Sequence, residues 1–321
     1  MKIFLLTTRN LLILPFMLFI ITNGIQAQSS DIHPNSKEII STVDENAIAQ
    51  NGQIFRSYLP IIQKPSINPD ALIFYDGFEK GIAPYMTPGY TWKPVDVDSS
   101  QIINAPTRMG TSAIQLSIDY YEDNQSVAAE LRLDAPAELN HFDIGKEYWY
   151  AFSIYLPSDF EENDRTEIFH QFHNFPDTQL GEEWNLNPPF SLFVNKQDWI
   201  VAIHGDSSPV TILSEYEATE YWNLGPIQPG QWTDFVYNIK WSYGDDGIVK
   251  IWRDGHQIVN YKGANTYNDQ IGPYMKFGIY EWYWRTGPTK VTNRTAVYDE
   301  IRVGNEFATY EMMVPENNVR P

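Results

Sequence analysis

The sequence contains no cysteine and comparatively few basic residues. Its 321 residues include 22 Lys and Arg against 41 Asp and Glu, which gives a formal net charge of −19. Without cysteine the chain has no disulfide, no Cys-ligated zinc site and no thiol nucleophile. The scarcity of Lys and Arg argues against nucleic acid as a partner, because phosphate neutralisation requires clustered basic side chains. The 43% of hydrophobic residues excludes disorder over the whole chain.

Long apolar runs are also absent, except at the N-terminus. Lys2 and Arg9 precede an apolar segment at residues 11–21, and residues 25–27 offer a small-residue cleavage site. This layout predicts a signal peptide over residues 1–27 and a secreted, extracellular protein, with bacterial export favoured. The apolar segment is shorter than the roughly 20 residues of a membrane span. We therefore expect no membrane span after cleavage, with a retained anchor as the alternative.

The rest of the chain divides by composition. Residues 28–70 are polar and irregular, which predicts a linker of low order. Over residues 71–312, short segments rich in Ile, Val, Phe, Tyr and Trp alternate with Gly, Pro, Asn and Asp, and helical periodicity is nearly absent. This pattern indicates one all-β sandwich or barrel. Asp254-Gly255 between two apolar segments predicts a hairpin. Residues 313–321 are a tail, and we expect a monomer.

The alternation of side chains along a strand sorts the polar residues of three segments. Residues 126–133, 167–173 and 274–282 each acquire one apolar and one polar face. The polar faces contain Glu130 and Arg132 in the first segment, Glu167, Phe169, Gln171 and His173 in the second, and Lys276, Gly278, Tyr280 and Trp282 in the third. On the opposite face of the second segment, His170 is predicted to be a satisfied core or interface histidine. Polar faces of one concave sheet would converge on a groove, although solvation alone also produces polar faces.

These segments contain several short motifs in a defined order. They are Ala-Glu-Leu-Arg at 129–132, Gln-Phe-His at 171–173, Gly-Gln-Trp-Thr-Asp at 230–234 and Tyr-x-Lys-x-Gly-x-Tyr at 274–280. Together they resemble jelly-roll polysaccharide lyases, in particular the family of glucuronan lyases and heparin-lyase-I-like enzymes, with alginate lyases more distant. The resemblance implies an all-β, concanavalin A-like β-jelly-roll sandwich of two antiparallel sheets with a concave groove. It also implies an enzyme that cleaves a uronic-acid-containing, acidic polysaccharide by β-elimination.

The resemblance assigns the chemistry to four residues. Gln171 would hydrogen-bond the substrate carboxylate and stabilise an enolate-like intermediate. His173, whose imidazole has an ordinary pKa near 6.5, would remove the C5 proton. Tyr280 would protonate the leaving glycosidic oxygen, or would act as both base and acid where the two protons lie on one side of the sugar. Lys276 and Arg132 would supply positive charge. The residues expected to bind substrate around them are Glu130, Arg132, Trp282 and Trp184, with Tyr283 and Trp284 as further candidates for stacking on sugar rings.

One position departs from the pattern of the alginate lyases. Those enzymes have an Arg two residues before the Glu of the first motif, and this chain has Ala128 there. Such an Arg would help to neutralise the substrate carboxylate, so its absence places alginate specificity in doubt. Arg132 lies on the same predicted face and would replace it in part.

Two other functions remain open at this level. Glu162-x-Asp164-x-x-Glu167 has the spacing of laminarinase-like glycoside hydrolases, which need two carboxylates across the scissile bond. Its context, a charged turn after a Leu-Pro-Ser-Asp sequence, does not match a strand with interleaved apolar residues. A non-catalytic, lectin-like carbohydrate-binding module would use the same groove and aromatic residues without any proton-transfer group.

A structural calcium ion is the one cofactor that we expect. Asp76 and Glu79 stand near the start of the β domain and Asp299 near its end. In the lectin-like sandwiches that these segments resemble, the first and last strands are neighbours, and an acidic residue from each binds calcium with backbone carbonyls. Calcium prefers such oxygen ligands. Glu79 and Asp299 are the candidates, with Asp76 as a third; ordinary turn carboxylates are the alternative.

Overall fold

The computed structural model describes residues 68–80, 90–93, 99–121, 127–134 and 139–315. The predicted signal peptide, nearly all of the predicted linker and most of the predicted tail lie outside the described residues. The chain divides into a unit before and a unit after the Ile62–Gln63 bond, and every described residue lies in the second unit. None of the described helices has the length and apolarity that a membrane crossing requires.

Fifteen strands of the described chain form two antiparallel sheets, which confirms the predicted all-β sandwich. The eight-stranded sheet contains, in spatial order, β13 (His256–Lys262), β12 (Ile248–Arg253), β11 (Trp232–Lys240), β6 (Glu147–Tyr155), β15 (Asn293–Gly304), β4 (Ala113–Asp119) and β3 (Ser100–Ile103), with β1 (Leu72–Asp76) also paired to β15. The seven-stranded sheet contains β10 (Ala218–Pro226), β9 (Asp198–Gly205), β8 (Phe190–Asn195), β7 (Glu167–Phe175), β14 (Ile271–Tyr280), β5 (Ala128–Leu133) and β2 (Tyr90–Lys93). The helices are short: 3₁₀ turns at Pro69–Ala71, Thr178–Leu180 and Trp282–Thr286, and α1 at Tyr310–Met313.

The hydrophobic core lies between the two sheets. The predicted apolar faces of β5 and β14 both point into it, because every second side chain of a strand shares a face. These core residues are Ala129, Leu131 and Leu133 of β5 and Met275, Phe277 and Ile279 of β14. Each of these side chains except that of Ala129 stabilises the fold by about 1.5–3 kcal/mol relative to leaving it in water. A smaller cluster packs α1 against the outer side of the eight-stranded sheet, where Met312 and Met313 are buried.

The hairpin predicted at Asp254-Gly255 is confirmed. It joins β12 to β13, and both turn residues have positive φ angles, 48° for Asp254 and 84° for Gly255. Positive φ at both positions is what a two-residue type I′ hairpin requires, and Asp-Gly is among the pairs that adopt it most readily.

The predicted facing of β7 is wrong at Glu167 and Phe169, which the alternation placed with Gln171 and His173 on the polar face. A shift of register lies between Ile168 and His170 in the pairing of β7 with β8, so the two-residue alternation is interrupted there. Phe169 and His170 consequently both lie in the core: Phe169 packs against Trp199, and His170 stacks on Phe152 with 4.6 Å between ring centroids. Gln171 and His173 keep their predicted positions on the other face.

His170 is a core residue, as predicted, but it is not satisfied. Neither ring nitrogen has a hydrogen-bond partner among the described residues. Burial lowers the pKa of His170 to about 3, so the imidazole is neutral at physiological pH.

Candidate active site

Three adjacent strands of the seven-stranded sheet position the candidate residues. On β14, Lys276 lies opposite Arg132 of β5 on one side and opposite Gln171 of β7 on the other. We call the side of this sheet that points away from the core the polar face. Gly278 lies opposite Glu130, and a Cβ at Gly278 would stand 2.1 Å from the carbonyl oxygen of Ala129. Glycine is therefore required for β5 and β14 to approach closely enough at Glu130.

Glu130 is the centre of a buried cluster on the polar face. One carboxylate oxygen accepts a hydrogen bond from the Gln171 amide, and the other lies 2.9 Å from Lys276 Nζ. Glu130 is 2% exposed, Gln171 0% and Lys276 6%. Both Glu130 oxygens are thus engaged, so the carboxylate orients Gln171 and Lys276. The carbonyl oxygen of Gln171 has no partner among the described residues.

His173 lies to one side of this cluster, next to a tyrosine that the sequence reasoning did not assign. It is directly opposite Tyr274 on β14, with 5.8 Å between the ring centroids. The Arg132 guanidinium lies over the same ring at 4.4 Å and also pairs with Asp134 at 3.4 Å. Burial raises the pKa of Tyr274, so its hydroxyl stays protonated. The alternation of residues 274, 276, 278 and 280 was the available signal for Tyr274.

Tyr280 lies on the other side of the cluster. It is paired with Ala128 on β5, and its ring centroid is 5.8 Å from Lys276 Nζ. It lies six positions along β14 from Tyr274, the residue opposite His173, and six positions span about 20 Å in an extended strand. The structure therefore brings Glu130, Gln171 and Lys276 together and places the candidate base and the candidate acid on opposite sides of them.

The predicted strand position of Trp282 is wrong. β14 ends at Tyr280, and the chain enters the 3₁₀ turn Trp282–Thr286. The Trp282 ring nevertheless lies 6.0 Å from that of Tyr280, so it still borders the polar face. Trp284, a candidate for stacking, is instead 4% exposed, and its indole N–H donates to Thr289 at 3.0 Å. It anchors the turn in the core.

Trp184 lies in the connection between β7 and β8 and is strongly exposed. It is 64% exposed in the loop that follows the 3₁₀ turn Thr178–Leu180. The loop is held by buried Glu182, whose carboxylate accepts the backbone N–H groups of Asp177 and Thr211 at 2.7 and 2.6 Å. Exposure is what a sugar-stacking residue requires, and the role of Trp184 stays a prediction.

A second histidine on the polar face was missed by the sequence reasoning. Trp199, Val201 and Ile203 of β9 point into the core, which places His204 on the opposite face. Its ring lies 4.9 Å from that of Tyr216. Burial lowers the pKa of His204 to about 4, so it is neutral and serves there as a polar aromatic group. The alternation along β9 would have identified it.

Glu167, the last residue of the hydrolase-like spacing, belongs to a structural cluster between the sheets. Glu167 is 1% exposed and accepts hydrogen bonds from Arg294 of β15 at 2.6 Å and from Asn163 at 2.7 Å. Glu281 is fully buried beside it, and burial together with the Glu167 charge raises the pKa of Glu281 to about 10. The two carboxyl groups share one proton, and Arg294 balances the remaining charge. Glu167 therefore points toward Arg294 and away from the polar face, so this motif does not form a hydrolase carboxylate pair there.

The two calcium candidates, Glu79 and Asp299, form hydrogen bonds to opposite ends of residues 108–111. Asp299 accepts the backbone N–H groups of Arg108 and Met109 at 2.8 and 3.2 Å, and Glu79 accepts the N–H and hydroxyl of Thr111, both at 2.8 Å. Burial raises the pKa of Asp299 to about 7. Among the described residues, no group of three or more His, Cys, Asp or Glu side chains is arranged to hold a metal. A calcium ion here would therefore also need backbone carbonyls or the Thr111 hydroxyl.

The two antiparallel sheets define the class of jelly-roll sandwiches. The family model described as polysaccharide lyase matches residues 88–302, so the chain belongs to the polysaccharide lyase family. This match confirms the family predicted from the motifs, and the chain is a polysaccharide lyase.

Many solved structures are similar to the chain. An endo-β-1,4-glucuronan lyase from the fungus Trichoderma reesei is 18% identical, with a TM-score of 0.59 over 74% of this chain and 97% of that one. The alginate lyase AlyC3 in complex with dimannuronate is 14% identical, with a TM-score of 0.42 over 60% of this chain and 73% of that one. No curated protein is significantly similar to the chain.

Proposed function

We propose that the chain is a secreted lyase that cleaves a glucuronan-like, uronic-acid-containing polysaccharide by β-elimination. The observation that carries this proposal is the Glu130 carboxylate bound to both Gln171 and Lys276 on the polar face. A buried carboxylate that fixes an amide and an ammonium group in one place preorganises two hydrogen-bond donors for an anionic ligand. The resemblance to a glucuronan lyase structure supports the choice of substrate class.

The substrate uronate would place its carboxylate over Gln171 and Lys276. Gln171 has one amide hydrogen committed to Glu130 and a second available, and Lys276 Nζ has two hydrogens beyond the one that it gives to Glu130. When the C5 proton leaves, negative charge spreads onto the carboxylate. Donors that are already held in position stabilise that charge without reorganisation. They therefore bind the transition state more strongly than the ground state, which lowers the activation barrier.

Proton transfer would take place on either side of this carboxylate. The neutral His173 imidazole takes the proton from C5, the electron pair forms the C4–C5 double bond, and the bond from C4 to the glycosidic oxygen breaks. Tyr280 donates its hydroxyl proton to that oxygen. The products are a chain end with a free hydroxyl group and a chain that begins with an unsaturated uronate. The strand positions of His173 and Tyr280 are about 20 Å apart, so both side chains must turn toward the cluster to reach one sugar unit.

A panel of polysaccharides tests the proposal. The purified protein is incubated with polyglucuronate, alginate, heparin and a neutral glucan, and the ultraviolet absorbance of the unsaturated product is followed. We expect absorbance to rise with polyglucuronate and not with the glucan. Absence of unsaturated product from every polyuronide would contradict the proposal. N-terminal sequencing of the exported protein tests secretion, with a new terminus at Gln28 expected.

We further propose a structural calcium ion at the segment bracketed by Glu79 and Asp299. The donor chemistry supports it, because two carboxylates and the Thr111 hydroxyl are the hard oxygen ligands that calcium prefers. A ligand that binds only the native state stabilises it by about 2.7 kcal/mol at 100 times its Kd. We expect calcium to raise the thermal unfolding midpoint of the wild type and leave that of Asp299→Asn unchanged. An equal midpoint for the wild type in calcium and in a chelator would contradict the site.

A further inference from the structure

The cations on the polar face are mostly neutralised by carboxylates of the protein. Lys276 Nζ lies 2.9 Å from Glu130, and Arg132 lies 3.4 Å from Asp134. Both pairs are formally neutral, and the whole chain has a net charge of −19. A polyanionic substrate would therefore gain little net attraction from these two cations. Another source of positive charge is needed beside them.

Arg285 is a cation at this site without a carboxylate partner in the described part of the chain, and Arg165, over the Tyr283 ring at 5.1 Å, is a second one further from Tyr280 in the sequence. The Arg285 guanidinium lies 5.7 Å from the centroid of the Tyr280 ring. Its side chain is exposed, and it forms no ion pair or hydrogen bond with any described residue. It therefore retains its full positive charge and all five of its N–H donors for a ligand.

The local fold holds Arg285 at this position. In a 3₁₀ helix, residues three apart eclipse each other, so Trp282 and Arg285 of the turn lie on one side. Trp284, on another side, is buried and fixes the turn. The Tyr280 ring is 6.0 Å from Trp282 as well as 5.7 Å from Arg285. Tyrosine, tryptophan and arginine thus form one continuous surface at the end of the polar face.

We propose that Arg285 binds the carboxylate of a uronic acid unit at the Tyr280 side of the polar face and thereby selects uronate chains over neutral ones. The inference rests on the proposed function. A planar guanidinium binds a carboxylate through two parallel hydrogen bonds, while Trp282 offers a ring on which the sugar stacks. Ala128 lies directly across from Tyr280, so an arginine at position 128 would reach the same region. Arg285 thus supplies, from the 3₁₀ turn, the positive charge that position 128 of β5 lacks.

Two single variants test the role. Arg285→Gln removes the charge and keeps a polar side chain, and Lys290→Gln makes the same change of charge at an exposed lysine five residues further on. Hydrogen bonds to charged groups contribute enough for a loss of about 10- to 100-fold in kcat/KM on polyglucuronate. We expect that loss for Arg285→Gln and an unchanged value for Lys290→Gln, with equal thermal midpoints.

A double variant makes the test specific. Adding Ala128→Arg to Arg285→Gln restores a guanidinium from the opposite strand, and we expect it to recover most of the lost kcat/KM. Equal kcat/KM for wild type and Arg285→Gln would overturn the inference, as would an equal loss in Lys290→Gln. Both results require an active wild type, so they are distinguishable from failure of the proposed function, in which the wild type itself yields no unsaturated product.

Discussion

Strand β7 contributes to two buried ionic clusters, which differ in the groups that remain available to a ligand. On the polar face, Glu130 pairs with Lys276 and fixes the amide of Gln171. Between the sheets, Glu167 pairs with Arg294 and shares a proton with Glu281. The first cluster lies beneath the polar face, where Gln171 and Lys276 keep amide and ammonium hydrogens that Glu130 does not use. The second encloses two carboxyl groups and one cation within the protein.

The difference shows why burial of charge alone does not identify an active site. Either cluster would be costly if one partner were lost, because an unpaired buried charge is strongly unfavourable. Only the cluster of Glu130 lies among groups that can bind or transfer protons, with His173 on one side and Tyr280 on the other. The cluster of Glu167 fixes the start of β7 against β15 and has a structural role.

The largest effect is expected from the proton-transfer residues of the first cluster. His173→Ala and Tyr280→Phe should each lower kcat by at least about 10²-fold, the usual contribution of general acid–base groups. Tyr221→Phe is the matched control, because Tyr221 is a 60% exposed tyrosine on β10, three strands away from β7. Steady-state kinetics on polyglucuronate provide the measurement. Wild-type kcat in either variant would remove that residue from the mechanism.

The same change made in both clusters should separate function from stability. Lys276→Met is expected to lower kcat/KM by more than about 10-fold, because a charge-assisted hydrogen bond to the substrate is lost. Both variants should lower the free energy of unfolding by about 3–5 kcal/mol, because each leaves a buried carboxylate without its cation. Only Arg294→Met should leave kcat of the folded protein unchanged. Urea unfolding and kinetics are measured on each. A large loss of kcat in folded Arg294→Met would erase the distinction between the clusters.

A smaller effect concerns the shared proton of the second cluster. The pKa of Glu281 is raised to about 10, whereas an unfolded Glu titrates near about 4.3. Folding therefore takes up a proton between these values, and stability declines as pH rises from the lower to the higher. Glu281→Gln keeps a donor toward Glu167 and removes this penalty. Its thermal midpoint should exceed that of the wild type at pH 8, and the difference should shrink toward pH 4.

Each kcal/mol corresponds to about 2–4 °C in a domain of this size, so calorimetry at several pH values resolves the effect. A difference in midpoint between Glu281→Gln and wild type that does not change with pH would contradict the shared proton.

Sequence alternation predicted much of this arrangement because its rule is local. It placed Gln171, His173, Lys276 and Tyr280 on the faces where the structure has them. It failed at Phe169, because a bulge is set by the pairing of β7 with β8 and has no signal in β7 alone.

Contacts between segments that are distant in the sequence could not be predicted either. The pairing of Glu281 with Glu167 depends on both strands and on Arg294 of the other sheet. The position of Arg285 depends on where β14 ends. The aromatic residues after Tyr280 are equally compatible with a continued strand, so the sequence does not indicate that end.

The most direct test of the central claim compares the number of new double bonds with the number of glycosidic bonds cleaved. Wild-type protein is incubated with polyglucuronate, and new double bonds, measured by ultraviolet absorbance, are compared with new reducing ends. Elimination driven by the polar face predicts one double bond for each reducing end, in wild type and equally in Glu167→Gln. Reducing ends without double bonds, abolished by Glu167→Gln, would show that the protein is a hydrolase that uses the other cluster and would contradict the account.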